Sequence, residues 1–372
     1  MTEAPKTTTD PSINTPELIP RTPTKDEQVT YSVSPNLLDF LTKNDLSVCM
    51  SSYQSGRFYM IGRNPEGGIM TNEQVFLKAM GINVKDNRLT LATMFQIHCF
   101  ENTLKPNERI ETLFDACFVP RTSYTTGVLD AHDIAVTKDD QIVFVNTRFN
   151  CLATVSDKHS FEVIWKPPFI SKIVDEDRCH LNGLALEEGQ PAYVTAVSKS
   201  DTVDGWRDRR DTGGIVIDVR TNQIICEGLS MPHSPRVHQG RLYVLDSGTG
   251  RLGTVDMDTK SGKGTFREIV FCPGFVRGLA FHEGFAIVGL SKPRYQRFEG
   301  LALDDKLKEA DSEAWCGFQI IDLQKKEVVA WFRIDGAVQE LFDVAVMPGV
   351  QCGMSLGFGT DHIKTLITHD AG

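Results

Sequence analysis

The chain has 372 residues, of which 41% are apolar and 24% charged, with a formal net charge of −10. That composition suits a soluble folded core: no apolar run approaches the roughly 18 residues of a membrane helix, and an acidic chain gains no counterion release from nucleic acid or an anionic lipid surface. Nine cysteines, odd in number and never in a Cys-x-x-Cys pair, argue against a zinc ribbon or a disulfide framework and for reduced, packed thiols.

Residues 1–30 are rich in Thr and Pro and poor in large apolar groups, so they cannot offset the entropy of ordering and are expected to form a disordered arm. They lack the basic start, apolar run and small-residue cleavage site of a secretory signal, which points to a cytoplasmic location. Residues 31–350 read as a single domain and 351–372 as a C-terminal tail. A short helix is expected at Pro35–Leu41, with Ser34 placed to cap it, and another near Leu301–Ala310. Elsewhere short β-branched and aromatic runs are broken at close intervals by Gly, Asp, Asn or Lys turns, the pattern of an all-β chain.

These runs repeat with a period of roughly forty to fifty residues. One unit reads His132-Asp-Ile-Ala-Val136, then Gln141–Thr147, then Cys151–Val155. The same grammar recurs from Met80, Asn182, His233 and Arg277. A sixth unit is split: Phe342-Asp-Val-Ala-Val346 has the pattern of an innermost strand, while Leu46–Met50 and Arg57–Ile61 supply its missing outer strands. The expected fold is an all-β six-bladed β-propeller closed by pairing N-terminal strands with the C-terminal innermost strand, an arrangement that removes two open sheet edges.

This grammar resembles the six-bladed propellers of the gluconolactonase, strictosidine-synthase-like and NHL-repeat kind over about residues 45–350. The segments DAHDIAV, NTRFNCLATVS, HLNGLAL, MPHSPR and RGLAF look like an uncharacterised bacterial family of conserved hypothetical proteins. The resemblance implies the fold. Gluconolactonase-type enzymes hold a divalent cation with Glu, Asn and Asp, whereas the comparable positions here offer mostly His.

A propeller gathers equivalent repeat positions around its axis. Aligning Ala135, Ala185, Arg236, Ala280 and Ala345 sets His132, Asn182, His233, Arg277, Phe342 and Met80 at one level, with Asp133, Ser234 and Asp343 one step along and His180 and Glu340 two before. Imidazoles with carboxylates suit a divalent transition metal, so His132, His180 and His233 are candidate metal ligands. Alternatively, these groups hydrogen-bond one another across the axis. Asp343, Glu340 and Asp133 are candidate general bases. Arg277 and Asn182 are candidate substrate contacts, and Arg148 a weaker one at the rim.

Two long insertions, Ser198–Gly213 and Ser291–Trp315, leave second strands and should therefore rim the same mouth. They bring Trp206, Arg207, Arg209, Arg210, Arg294, Tyr295 and Arg297, which would draw an anionic substrate toward an otherwise acidic molecule. Two functions compete. One is a metal-dependent small-molecule lyase, hydrolase or oxygenase acting on an anionic substrate. The other is a noncatalytic propeller that binds a protein partner or ligand; neither a nucleic acid nor a membrane partner is expected.

Overall fold

The computed structural model describes residues 28–293 and 301–369. The expectation of a disordered arm lies outside the described residues for 1–27, as do Arg294, Tyr295 and Arg297. Six antiparallel sheets are arranged as the blades of a β-propeller. We number the blades by their innermost strands: Asp343–Pro348 (blade 1), Ile82–Lys85 (2), Ala131–Val136 (3), Leu181–Glu187 (4), Pro232–His238 (5) and Phe275–His282 (6).

Blade 1 closes the ring as the split repeat predicts. Asp343–Pro348 pairs with Leu46–Ser52, followed by Arg57–Arg63 and Ile69–Val75, with Cys49 opposite Ala345 and Met60. Both chain ends add further strands. Thr30–Val33 pairs with the outer strand Glu327–Asp335 of blade 6. Part of the segment expected as a tail, Gly353–Ser355, pairs in parallel with the outer strand Ala116–Thr125 of blade 2. It is held there because the Asp115 carboxylate accepts the N–H groups of Gln351 and Cys352, while Ser47 donates its hydroxyl to the Val350 carbonyl.

The first helix spans Leu37–Asn44 and buries Leu37, Phe40 and Leu41 against the seam of blades 1 and 6, each such side chain contributing about 1.5–3 kcal/mol. Ser34 does not cap it with its side chain. Its hydroxyl instead accepts the Trp331 N–H, tying the helix start to blade 6. The second helix, Ala302–Glu309, lies inside the second insertion as expected. All nine cysteines are free, and only Cys99 is not fully buried. Among the described residues no helix is long and apolar enough to cross a membrane.

The innermost ring alternates in a way that fixes the mouth. Blades 1, 3 and 5 carry Asp343, Asp133 and Ser234 at one register, and each side chain accepts a backbone N–H from the next blade: Ile82, Leu184 and Gly278 respectively. Blades 2, 4 and 6 carry glycine at that register, because the following blade approaches too closely for a side chain. A Cβ on Gly278 would lie 2.5 Å from the Val344 nitrogen, and one on Gly183 would lie 2.3 Å from Pro235 Cδ. Hydroxyls at the ends of the second strands repeat the pattern: Ser51, Thr147 and Ser247 donate to the carbonyls of Met80, Leu181 and Val276. The six blades thus lock as three hydrogen-bonded pairs.

Candidate functional site

One residue above that ring, Phe342, Met80, His132, Asn182, His233 and Arg277 follow one another around the axis, the register that the repeat alignment gives. Two residues before four of them, Lys78, Asp130, His180 and Met231 adopt left-handed backbone with φ between 47° and 50°. This bend turns the chain into each innermost strand and sets a second, outer ring of side chains at the mouth. The two rings enclose a cavity of about 440 Å³ whose walls include Lys78, His132, His180, Trp206, Arg277 and Phe342.

His132 and His233 are built alike. His132 Nδ1 lies 2.9 Å from the Asp130 carbonyl and 2.8 Å from Thr147 Oγ1. His233 Nδ1 lies 2.8 Å from the Met231 carbonyl and 3.0 Å from Ser247 Oγ. A carbonyl only accepts, and each hydroxyl has already given its proton to the next blade, so Nδ1 carries the hydrogen in both rings. Nε2 is then a bare lone pair. Burial pushes both rings well below the usual histidine range, and the positive charges around them add to the effect, so both are neutral imidazoles.

Their Nε2 atoms differ in what they meet. Asn182 Nδ2 sits 3.4 Å from His233 Nε2, and Thr195 fixes the amide by donating to Asn182 Oδ1 at 2.7 Å. His233 also packs on Phe275 and does not line the cavity. His132 does, packed edge-on against Phe342 with ring centroids 5.2 Å apart.

His180 presents its ring at 82° to His132, centroid to centroid 5.0 Å. Its Nδ1 is 2.6 Å from Asp177 Oδ2, and its face stacks on Trp206 at 4.3 Å. Arg277 is half-buried, its guanidinium over the faces of Phe342, at 4.8 Å, and Phe275, at 5.5 Å. Burial lowers its pKa to about 10, the Glu340 carboxylate opposing this, so it stays charged at neutral pH. Among the described residues Arg277 forms no ion pair, and its Nε has no hydrogen-bond partner; the indole N–H of Trp206 is likewise unpartnered. Two residues that line one cavity thus each carry a buried donor without an acceptor, an arrangement that is costly.

The insertions rim this mouth. Trp206 packs with Leu301, Leu303 and Leu307 of the second insertion and with Val197, Met231 and Phe275 below. Arg207 lies over the Trp206 ring at 4.5 Å and pairs with Asp204. Lys78, Arg207, Arg210 and Arg277 on the walls outnumber Asp130 and Asp177.

Other expected residues lie elsewhere. The Asp133 and Asp343 carboxylates are one layer deeper, each accepting backbone N–H groups from two blades. Arg236 crosses the axis to Asp133 at 2.8 Å and approaches Asp343 at 3.8 Å. Glu340 is buried and pushed up to about 7 by desolvation, with Arg277 pulling the other way. Arg148 stays at the rim in a two-pronged pair with Asp175. Among the described residues no three His, Cys, Asp or Glu side chains form a group that could hold a metal ion. Of the groups expected as ligands or bases, His233 has both ring nitrogens engaged and both deep carboxylates accept backbone N–H groups.

Several functional groups were not singled out from sequence. Arg236 sat in the alignment among alanines, and that exception was its signal. Lys78, Asp130 and Met231 share the register of His180, and Asp177 precedes His180 by three residues.

No curated protein matches the chain. Among solved structures it is similar to a nidogen/laminin complex (9% identity, 82% of this chain and 99% of that chain, TM-score 0.48). It is also similar to a streptogramin B lyase (13% identity, 72% and 78%, TM-score 0.41). A third is a virginiamycin B lyase from Staphylococcus aureus (10% identity, 83% and 99%, TM-score 0.39). At these identities the likeness is one of overall fold. A family model described as a domain of unknown function, DUF4915, matches residues 35–356.

Proposed function

Since the chain belongs to the DUF4915 family, whose function is unknown, we propose from the site itself that it is an enzyme acting on a small anionic molecule in the axial mouth, with His132 as proton acceptor and Arg277 as anion anchor. One observation carries this reading: a neutral imidazole with Nδ1–H pinned and Nε2 unengaged shares a cavity with a half-buried guanidinium that forms no ion pair among the described residues. Such a pairing suits general-base chemistry, in which a positioned acceptor takes a proton from a group held by a fixed cation. A cavity of about 440 Å³ corresponds to roughly fifteen water volumes, the scale of a metabolite and not of a polymer.

In this reading Asp133, Asp343 and Arg236 hold the blades together, His233 supports the ring through Asn182, and the metal expected from sequence is not required. Trp206, one of four tryptophans, reports on the cavity. Titration of the full chain with inorganic phosphate, oxalate and 2-oxobutanoate should change tryptophan emission saturably. The response should be absent in Trp206→Phe, weak with the uncharged ketone 2-butanone, and unaltered by EDTA. A wild-type protein that responds to none of the anions, or only before chelation, would contradict the proposal.

A further inference from the structure

Resting on that reading, we infer that His180 is a second catalytic residue, the proton donor that complements His132, and that the pair enolises a 2-oxo acid. The two rings belong to successive blades, line the same cavity and stand 5.0 Å apart, so both reach neighbouring atoms of one bound molecule. What separates their roles is the partner behind each. His132 Nδ1 faces a carbonyl and a hydroxyl, neutral acceptors that hold the ring in place without favouring a second proton. His180 Nδ1 faces a carboxylate oxygen of Asp177 at 2.6 Å, and that carboxylate also accepts the His180 backbone N–H at 3.0 Å. In its protonated form the ring gives Nδ1–H to that carboxylate and can offer Nε2–H to the cavity.

The first insertion holds this donor. Asp204 donates its backbone N–H to the Asp177 carbonyl at 2.9 Å, and Trp206 lies against the His180 ring. Farther back, Arg178 is buried between Glu176 and Asp201, at 2.6 Å from each, which fixes both ends of the loop relative to Asp177. Asp177 is thus a positioning residue.

The substrate class follows from having a cation, a donor and an acceptor in one small space. A 2-oxo acid carries a carboxylate, a carbonyl and an acidic C–H on consecutive carbons. The carboxylate matches the charge of the Arg277 guanidinium on the cavity wall, and Met80, Tyr53 and Phe342 offer apolar walls to the carbon end. In the step itself the C3–H bond breaks and its proton goes to His132 Nε2. The electron pair forms the C2–C3 double bond, the carbonyl π pair takes the proton from His180 Nε2, and the enol results. His132 ends as imidazolium and His180 as neutral imidazole, its Nδ1–H still on Asp177. Proton exchange with water restores both rings, so no oxidant or reductant is needed.

The test is deuterium exchange at C3 of 2-oxobutanoate and phenylpyruvate in D2O, followed by proton NMR with the full chain. Wild type should exchange C3 faster than buffer. His132→Gln and His180→Gln should each slow this by about 100-fold. Asp177→Asn, which keeps the ring and nearly the same shape, should lower kcat about tenfold at an unchanged KM. All three variants should still quench with 2-oxobutanoate. Wild-type rates in both His180→Gln and Asp177→Asn would overturn the role of His180. Anion binding by wild type with no exchange above buffer would overturn enolisation and leave the anion site standing. Absence of binding in wild type would remove both.

Discussion

Replacing Arg236 with methionine is expected to destabilise the propeller by about 3–5 kcal/mol, read as a fall in the urea midpoint, because it strips the cation from two buried carboxylates. Asp133 and Asp343 are 3% and 2% exposed, and the guanidinium lies 2.8 Å from the first and 3.8 Å from the second. In many proteins a whole buried ion cluster can be exchanged for apolar residues at little cost. Here that remedy should fail. The same carboxylates accept the backbone N–H groups of Ile82, Ile134, Leu184 and Val344, so combining Asp133→Leu, Arg236→Met and Asp343→Leu would leave those four donors without acceptors. The deficit should also depend on pH. Burial raises the Asp343 carboxyl above its unfolded value, against the pull of Arg236. A carboxyl raised in this way contributes its stability below the unfolded pKa and loses it as pH rises through the folded one. Without Arg236 the folded value rises further, so the variant should recover part of its loss as the medium is acidified from about pH 8 to about pH 5.

Arg277→Gln should have the opposite profile. Anion affinity should fall by about 30-fold or more, the usual consequence of removing a buried charged hydrogen-bond donor worth about 2–5 kcal/mol. Stability should hold or rise, because among the described residues Arg277 has no ion pair and its Nε no acceptor. A half-buried cation set against aromatic faces, with the Glu340 carboxylate acting on it only through space, loses hydration without a direct ion pair among the described residues, and its removal relieves that cost. Calorimetric titration with 2-oxobutanoate beside a thermal midpoint measures both. A variant that binds normally but melts far below wild type would reassign Arg277 to structure. The two arginines, both half-buried near the axis, thus separate by what surrounds them: Arg236 is enclosed by carboxylates and backbone carbonyls, Arg277 by aromatic faces.

Much of the architecture was readable because the constraint that builds it is repeated. Each innermost strand must alternate small and apolar residues to pack around the axis, so its pattern recurs at Asp133, Gly183, Ser234, Gly278 and Asp343. The split sixth unit was visible for the same reason. Placement of His132, Asn182, His233 and Arg277 at one level followed from that alignment alone. What did not follow was which of them stays open. His233 is closed by an amide from the preceding blade, an arrangement that depends on Thr195, thirteen residues beyond Asn182. Asp133 and Asp343 stand one residue past the mouth register, and a one-residue step in a strand turns a side chain from the cavity toward the neighbouring blade. Ser34 shows the same limit on a smaller scale. Its spacing suits a cap, but a β-strand almost 300 positions away takes its hydroxyl.

Under the proposed function the axial mouth holds a neutral His132 base beside an anion held by Arg277. Long-range proton–nitrogen NMR of the full chain with nitrogen-15-labelled histidine, recorded from about pH 8 to about pH 5 with and without 2-oxobutanoate, tests it most directly. The structure predicts that His132 keeps the pattern of a neutral ring protonated at Nδ1 across that range, since burial holds its pKa well below the usual value. Its Nε2 resonance should shift when 2-oxobutanoate is added to wild type and stay in place in Arg277→Gln. An imidazole that titrates near the ordinary value of about 6.5, or an Nε2 signal indifferent to saturating 2-oxobutanoate in wild type, would contradict the account.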